Sequence, residues 1–267
     1  MIKQPGSVKR YTNKSTLVVY LILRALVILT GIRCIFTQDY ESVALCILTL
    51  ILLILPSVIE KRLKIEFPNT FEVIILLFIY SAEILGEIDN FYVTIPHWDT
   101  MLHTFNGFAC AAIGFALVDM LNRSERISLR LSPLYLALAA FCFSMTVGVC
   151  WEFFEHTADQ VLRVDMQKDT VLSSISSVTL DPTNSNKAVI VKDISDVIVV
   201  HSDGTQESLG LGGYLDIGLY DTMKDLFVNL IGAVVFSIIG YIYVKQKDKG
   251  TIASRFIPIV QMDTEEQ

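Results

Sequence analysis

Acidic and histidine side chains occur at helical spacing within the apolar parts of this sequence. Asp99 and His103 are four residues apart, as are Glu83 and Glu87 earlier in the chain. Residues at this spacing are neighbours on one face of a helix. Charged groups within apolar helices are rare and costly, so these residues are candidates for a functional site.

The same spacing returns twice further along the chain. Glu152 and His156 are four residues apart, with Glu155 between them, and Asp221 and Asp225 repeat the pattern. The helices described below are predicted to place both sets at one membrane depth. We therefore predict that carboxylate and imidazole atoms from at least three helices lie within about 5 Å of a common point, since metal–ligand bonds measure about 2.0–2.6 Å.

Such a set of carboxylates favours a bound cation, because like charges at one level repel unless they are protonated, solvated or neutralised. Oxygen ligands favour magnesium, calcium or manganese, and an added histidine admits zinc or iron. Glu155 or His156 would then serve as general base. The predicted ligands of a divalent metal ion are Glu83, Asp99, His103, Glu152, Asp221 and Asp225.

This chemistry suggests a metal-assisted hydrolase or transferase that acts on a lipid or envelope substrate. The sequence has no G-x-S-x-G or H-E-x-x-H motif that would identify a nucleophile or a zinc protease. Two other functions stay open, namely a transporter that binds cations or protons and a structural or sensory membrane protein without catalysis. In the simplest alternative, Asp99 and Asp221 only cap helices, and Glu152 and Glu155 are solvated at the headgroup layer.

The elements that must position these residues are transmembrane helices. The chain has 267 residues, of which 52% are hydrophobic and 18% charged, and its mean hydropathy is +0.53. A soluble domain is less apolar, and the net charge of −7 excludes a basic nucleic-acid-binding surface. A membrane span needs roughly 20 apolar residues. Six stretches reach about that length: Ser15–Phe36, Ser42–Ile59, Phe71–Ile88, Thr100–Leu121, Leu131–Phe154 and Thr222–Val244.

Lysine and arginine are concentrated in alternate connections, which predicts the orientation of the helices. Both tails and the connections near 60–64 and 123–130 contain them, whereas 37–41 and 89–98 contain none. We therefore predict an all-α polytopic protein of the bacterial cytoplasmic membrane, with six transmembrane helices and both termini in the cytoplasm. The lipid bilayer is its expected partner.

The composition changes between residues 165 and 220, which predicts a small β-rich extracytoplasmic insert between helices 5 and 6. Short β-branched runs at Val189–Val191 and Val197–Val200 predict strands, and Asp203-Gly204 predicts a hairpin turn. The predicted division is helices 1–5 in 1–164, the insert in 165–220, helix 6 in 221–246 and a cytoplasmic tail in 247–267.

Three motifs follow one another in the chain: Asp99-x-x-x-His103-x-x-x-Gly107, Trp151-Glu152, and Tyr220-Asp221-Thr222-x-x-Asp225. Over about residues 99–243 this order resembles the bacterial YjdF-type family of multi-helix inner-membrane proteins. The resemblance implies a helical membrane fold and the importance of these positions, but it implies no particular reaction. It also implies that shorter members reach the Asp-Thr motif through a brief turn, where this chain inserts Asp169–Gly213.

Overall fold

A computed structural model of the chain describes residues 14–63, 65–123, 131–246 and 253–260. The basic residues of the N-terminal tail before Lys14, of the loop 124–130 and of the segment 247–252 lie outside these ranges. So does most of the predicted cytoplasmic tail.

The described residues are mainly helical. The helices are α1 (Lys14–Phe36), α2 (Tyr40–Leu52), α3 (Leu55–Leu63), α4 (Asn69–Tyr80), a π-helix (Ser81–Ile88), α5 (Phe91–Thr94), α6 (Trp98–Arg123), α7 (Pro133–Leu162) and α8 (Leu219–Lys245). The strands are β1 (Ile65–Glu66), β2 (Thr170–Leu172), β3 (Ile175–Ser177), β4 (Val189–Val191), β5 (Ile198–Val200), β6 (Gln206–Ser208), β7 (Tyr214–Asp216) and β8 (Ile259–Val260).

Five helical segments in the described part of the chain are long and apolar enough to cross a membrane. They are α1, Tyr40–Leu63, Trp98–Asn122, α7 and α8. The prediction of a multi-pass membrane protein is therefore confirmed. The remaining predicted stretch, Phe71–Ile88, consists of the 12-residue helix α4 followed directly by the 8-residue π-helix.

The chain divides into two compact units. The first comprises residues 1–148 and 228–267, and the second comprises residues 149–227. The boundaries fall inside α7 and inside α8.

The first unit has two clusters of buried apolar side chains. In one, Phe71 of α4, Phe115 of α6, Leu136 of α7 and Phe236 of α8 are fully buried. The other joins α1, α2, α4 and the π-helix through residues such as Val27 and Ile84. Many of the exposed side chains of these helices are also apolar, as expected for surfaces that face lipid.

Two glycines in the first unit allow very close helix packing. A Cβ atom at Gly107 of α6 would lie 2.0 Å from the backbone oxygen of Asn229 in α8. A Cβ atom at Gly232 of α8 would lie 1.9 Å from the backbone oxygen of Thr104 in α6. Small residues at such crossings are typical of membrane helices, which lack a hydrophobic driving force and associate through close packing.

The second unit contains the predicted insert, and its β-rich character is confirmed. The strands pair antiparallel as β2 with β7, β3 with β4, and β5 with β6. Val189–Val191 is strand β4, and the turn between β5 and β6 has Gly204 at φ +86°. The β2–β7 pair, with Leu172 opposite Tyr214, closes the base of the insert.

Candidate functional site

Asp99 and His103 lie within hydrogen-bonding distance of each other in the first turns of α6. The His103 Nε2 atom lies 3.3 Å from the Asp99 Oδ1 atom, and the two side chains are only 12% and 23% exposed. Asp99 follows the first residue of α6, so it lies inside the helix and not at the capping position before it. The predicted pairing of these two residues across one helical turn is therefore present.

Further polar groups continue along the same face of α6. Asn106 and Cys110 follow at spacings of three and four residues, and the Cys110 thiol donates to Asn106 Oδ1 at 3.5 Å. Asn106 Nδ2 donates to Asn229 Oδ1 of α8 at 3.3 Å. Asn229 is 1% exposed, and its Nδ2 atom lies 3.6 Å from the Met145 sulfur of α7. Polar side chains of α6 and α8 thus meet inside the spanning segments, where unsatisfied polar groups are costly.

Glu83 is half-buried on the π-helix, whereas Glu87 is exposed. The π-helix ends with the Asp89 N–H donating to Ile84 O at 2.9 Å, which is the five-residue spacing of this helix type. Trp98 of α6 donates from Nε1 to the Ser81 carbonyl oxygen at 3.3 Å. This contact ties the start of the π-helix to the start of α6.

Four carboxylates on the helices of the second unit are buried. Glu152 and Glu155 of α7 are 4% and 7% exposed, and Asp221 and Asp225 of α8 are 8% and 1% exposed. The Lys224 Nζ atom lies 2.7 Å from Asp221 Oδ1 and 3.5 Å from Asp225 Oδ1. Glu155 Oε1 accepts a hydrogen bond from Trp151 Nε1 at 2.8 Å. Burial of these glutamates contradicts the alternative in which they are freely solvated.

The segment after α7 is bound to carboxylates of both helices. Asp159 of α7 accepts hydrogen bonds from the Met166 and Gln167 amides at 2.6 and 2.9 Å. Asp221 of α8 accepts one from the Lys168 amide at 3.0 Å. Asp221 lies inside α8, not at the capping position before it, and it binds the loop after α7.

His156, a predicted general base, is exposed at the end of α7 and is oriented by Gln167. Its Nδ1 atom lies 3.2 Å from Gln167 Oε1, while Gln167 Nε2 donates to the Thr222 hydroxyl of α8. Because an amide oxygen can only accept, a neutral His156 ring has its proton on Nδ1 in this arrangement. The Nε2 atom then keeps a lone pair that can accept a proton.

Two acidic residues of the insert, Asp181 and Asp196, have a different role. Asp181 accepts hydrogen bonds from the backbone and hydroxyl groups of Thr183 and Ser185, at 2.6–2.9 Å. These donors, first the Thr183 hydroxyl, hold the pKa of Asp181 well below its ordinary value. The Ser208 hydroxyl similarly lowers the pKa of Asp196. These carboxylates organise loops.

The site residues predicted from the sequence include neither Gln167 nor Asp159. Gln167 lies in a loop without periodicity, and its role depends on residues distant in sequence, so no pattern could have identified it. Asp159 shares a helix face with Glu152 and His156, and that spacing was its only signal.

Each predicted site residue therefore lies in a defined setting. Asp99 and His103 are paired in the first unit, Glu83 is half-buried there, and the remaining predicted ligands and bases belong to the second unit. The convergence of both sets on a single point stays a prediction.

Comparison with known proteins gives a family match and a distant relative. The family described as a predicted membrane protein family, DUF2238, matches residues 16–246. An uncharacterized protein of Thermotoga maritima is 28% identical over 107 residues, which cover 40% of this chain and 53% of the relative. The chain thus spans about half the length of that relative. No solved structure matches. The family match confirms the resemblance inferred from the motifs.

Proposed function

We propose that this protein, which belongs to the DUF2238 family of predicted membrane proteins, is a metal-assisted hydrolase or transferase. Its substrate in this proposal is a lipid or another envelope molecule. In this proposal it is a six-helix protein of the bacterial cytoplasmic membrane, with Phe71–Ile88 as the sixth span. Both termini lie in the cytoplasm and the insert lies outside.

The observation that supports this proposal is the burial of four carboxylates on the helices of the second unit. Removing an ionised carboxylate from water is costly unless opposite charge compensates it. Lys224 supplies one positive charge beside Asp221 and Asp225. A divalent cation would lower the energy of the set further, and the oxygen-only donors Glu152, Asp221 and Asp225 fit magnesium, calcium or manganese.

A divalent ion held by these residues would polarise a phosphoryl or carbonyl oxygen of the substrate. His156 is the better of the two predicted bases, because it is exposed while Glu155 is buried against Trp151. Gln167 holds the His156 ring so that Nε2 can take the proton of an attacking water or hydroxyl group.

Asp99, His103 and Glu83 are proposed as further ligands on the sequence argument alone. If His103 contributes a nitrogen, the ligand set also admits zinc or iron. This part of the proposal can fail while the second-unit ligands stand, so it needs a separate measurement.

Metal analysis of the detergent-purified chain tests the proposal. We expect stoichiometric divalent metal in the wild type and at least about tenfold weaker binding in Asp225→Asn and Glu152→Gln, since even outer-shell changes cost that much. Glu207→Gln is the matched control, because this exposed acid on β6 is outside the proposed site. His103→Ala tests whether the first unit contributes a metal ligand.

Equal metal binding by wild type and Asp225→Asn would overturn the metal site. Metal loss in Asp225→Asn without any change in His103→Ala would confine the ligands to the second unit. For a purified chain that hydrolyses a lipid phosphate, His156→Ala should slow the reaction by about 10²–10⁴-fold while metal is retained.

A transporter is the second candidate, favoured by the polar face of α6. Asp99, His103, Asn106 and Cys110 follow one another along one helix face, and Asn106 contacts the buried Asn229. Proton or cation flux in sealed vesicles, abolished by Asn106→Leu, would support transport. Catalysis without flux would exclude it.

A further inference from the structure

A groove lies between α6 and α8 in the first unit. Its volume is about 460 Å³, and its lining includes His97, Thr100, Met101, Phe108 and Val235. Met101 and Val235 are 50% and 46% exposed, so the groove opens at the surface of two membrane-spanning helices.

The lining is mainly apolar, and two of its few polar side chains lie at one end of it. His97 precedes α6 and Thr100 is in its first turn, whereas Met101, Phe105 and Phe108 follow further along the helix. From Thr100 to Phe108 a helix rises about 12 Å. This length is close to half of a hydrocarbon core about 30 Å thick, so the groove is about one leaflet deep.

The deep end of the groove is built from fixed groups. The Phe108 ring makes edge-to-face contacts with Phe236 at 5.2 Å and with Phe256 at 5.4 Å between centroids. Gly232 forms part of the wall, where its missing side chain lets α8 approach the Thr104 carbonyl oxygen. The Thr104 hydroxyl donates to the Thr100 carbonyl oxygen at 2.7 Å, which satisfies its donor.

We propose that this groove binds one phospholipid of the adjoining leaflet, with an acyl chain along Met101 and Phe108 and the headgroup phosphate at His97 and Thr100. The mainly apolar lining suits an acyl chain, and His97 and Thr100 at one end can donate hydrogen bonds to a phosphate. A transmembrane helix, about 10–12 Å across, is too wide to enter a cleft between helices packed this closely.

For the proposed enzyme, the lipid bound in this groove would be the substrate. In this respect the inference rests on the proposed function. Thr100 and Thr104 are sequence neighbours of Asp99 and His103 on the first turns of α6. A headgroup at His97 and Thr100 would therefore lie at the level of the Asp99–His103 pair.

The test uses the full chain in lipid nanodiscs in the presence of a metal chelator. A phosphatidylglycerol with a photoreactive diazirine in its acyl chain is the probe, and cross-linked peptides are mapped by mass spectrometry. We expect labelling of Met101 and Phe108 several-fold above that of Leu21 and Leu29, which are at least as exposed on α1.

Two tryptophan substitutions on α8 give a matched pair. Val235→Trp should fill the groove and reduce labelling of α6 several-fold, whereas Ile242→Trp, at an equally exposed position outside the groove, should leave it unchanged. Uniform labelling of all helices or equal effects of both variants would each overturn the lipid site.

Further measurements distinguish recognition of the lipid headgroup from binding of the acyl chain. A diacylglycerol with the same diazirine should label α6 several-fold less than the phospholipid does, and His97→Ala should remove that difference. Equal labelling by both probes would refute phosphate recognition. Competition by millimolar inorganic phosphate would indicate a plain anion site and refute lipid binding. Because the chelator removes metal, failure of the proposed metal site leaves this result unaffected.

Discussion

Replacing Gly232 with alanine tests the close packing of α6 and α8. A Cβ atom there would lie 1.9 Å from the Thr104 carbonyl oxygen and 2.8 Å from the Phe108 backbone nitrogen. Both are backbone atoms, so no side-chain rotation relieves the overlap. To restore an ordinary contact of about 3.5 Å, the helices must separate locally by roughly 1.6 Å.

The expected loss of stability combines two opposing effects. Overpacking an interior costs about 1–3 kcal/mol, and overlap with backbone puts Gly232→Ala at the upper end of that range. Alanine is favoured over glycine inside a helix by about 1 kcal/mol. The net loss is about 2 kcal/mol, or about 30-fold in the unfolding equilibrium.

Reversible unfolding in mixed micelles, followed by far-ultraviolet circular dichroism, measures this difference. Gly31→Ala is the control, because a Cβ atom at Gly31 of α1 would lie 3.4 Å from the Cys46 Cβ atom, an ordinary contact. This variant should be neutral or up to about 1 kcal/mol more stable.

Gly107→Ala extends the test to a double-mutant cycle. Its Cβ atom would lie 2.0 Å from the Asn229 backbone oxygen, across the same pair of helices. One displacement relieves both overlaps, so the double variant should lose less stability than the sum of the single losses. The reasoning is refuted by a Gly232→Ala protein as stable as the wild type, or by strict additivity.

Three further predictions concern topology and the insert. Single cysteines at Asn90 and Asp203 should react with a membrane-impermeant reagent added outside cells, and labelling only from the cytoplasmic side would reverse the topology. Replacing Ser173–Gly213 with Asn-Gly should preserve helix content by circular dichroism, because the β2–β7 pair can close as a hairpin; loss of membrane insertion would make the insert integral to the fold. The hydrogen bonds that lower the pKa of Asp181 stabilise its loop above about pH 4, and that stability should be lost as the pH falls further. Hydrogen exchange, corrected for intrinsic rates, should show this loss in the wild type and not in Asp181→Asn.

Features that depend on local spacing were predictable from the sequence. Apolar length identified the spanning segments, because a helix must cover the hydrocarbon core. The Asp203-Gly204 turn identified the β5–β6 hairpin, since positive φ at that position favours glycine. Helical spacing alone paired Asp99 with His103.

Features that depend on distant contacts were not predictable. Apolar periodicity does not reveal that Ser81–Ile88 forms a π-helix. The backbone hydrogen bonds of a π-helix join residues five apart, whereas those of an α-helix join residues four apart. The pairing of Thr170 with Asp216 joins residues near the two ends of the insert, which are far apart in sequence. Gln167 orients His156 only because Asp159 holds the backbone of its loop.

The contacts of the acidic residues distinguish structural from chemical roles. Asp159 and Asp221 accept hydrogen bonds from loop amides, so their replacement would disturb the loop that positions Gln167 even without any metal. A loss of activity in such variants would therefore not identify a ligand. Asp225 is buried beside the Lys224 ammonium group, and Glu152 is buried on α7. Isosteric changes at these two positions alter charge with little change in volume, so they give the more direct test of cation binding.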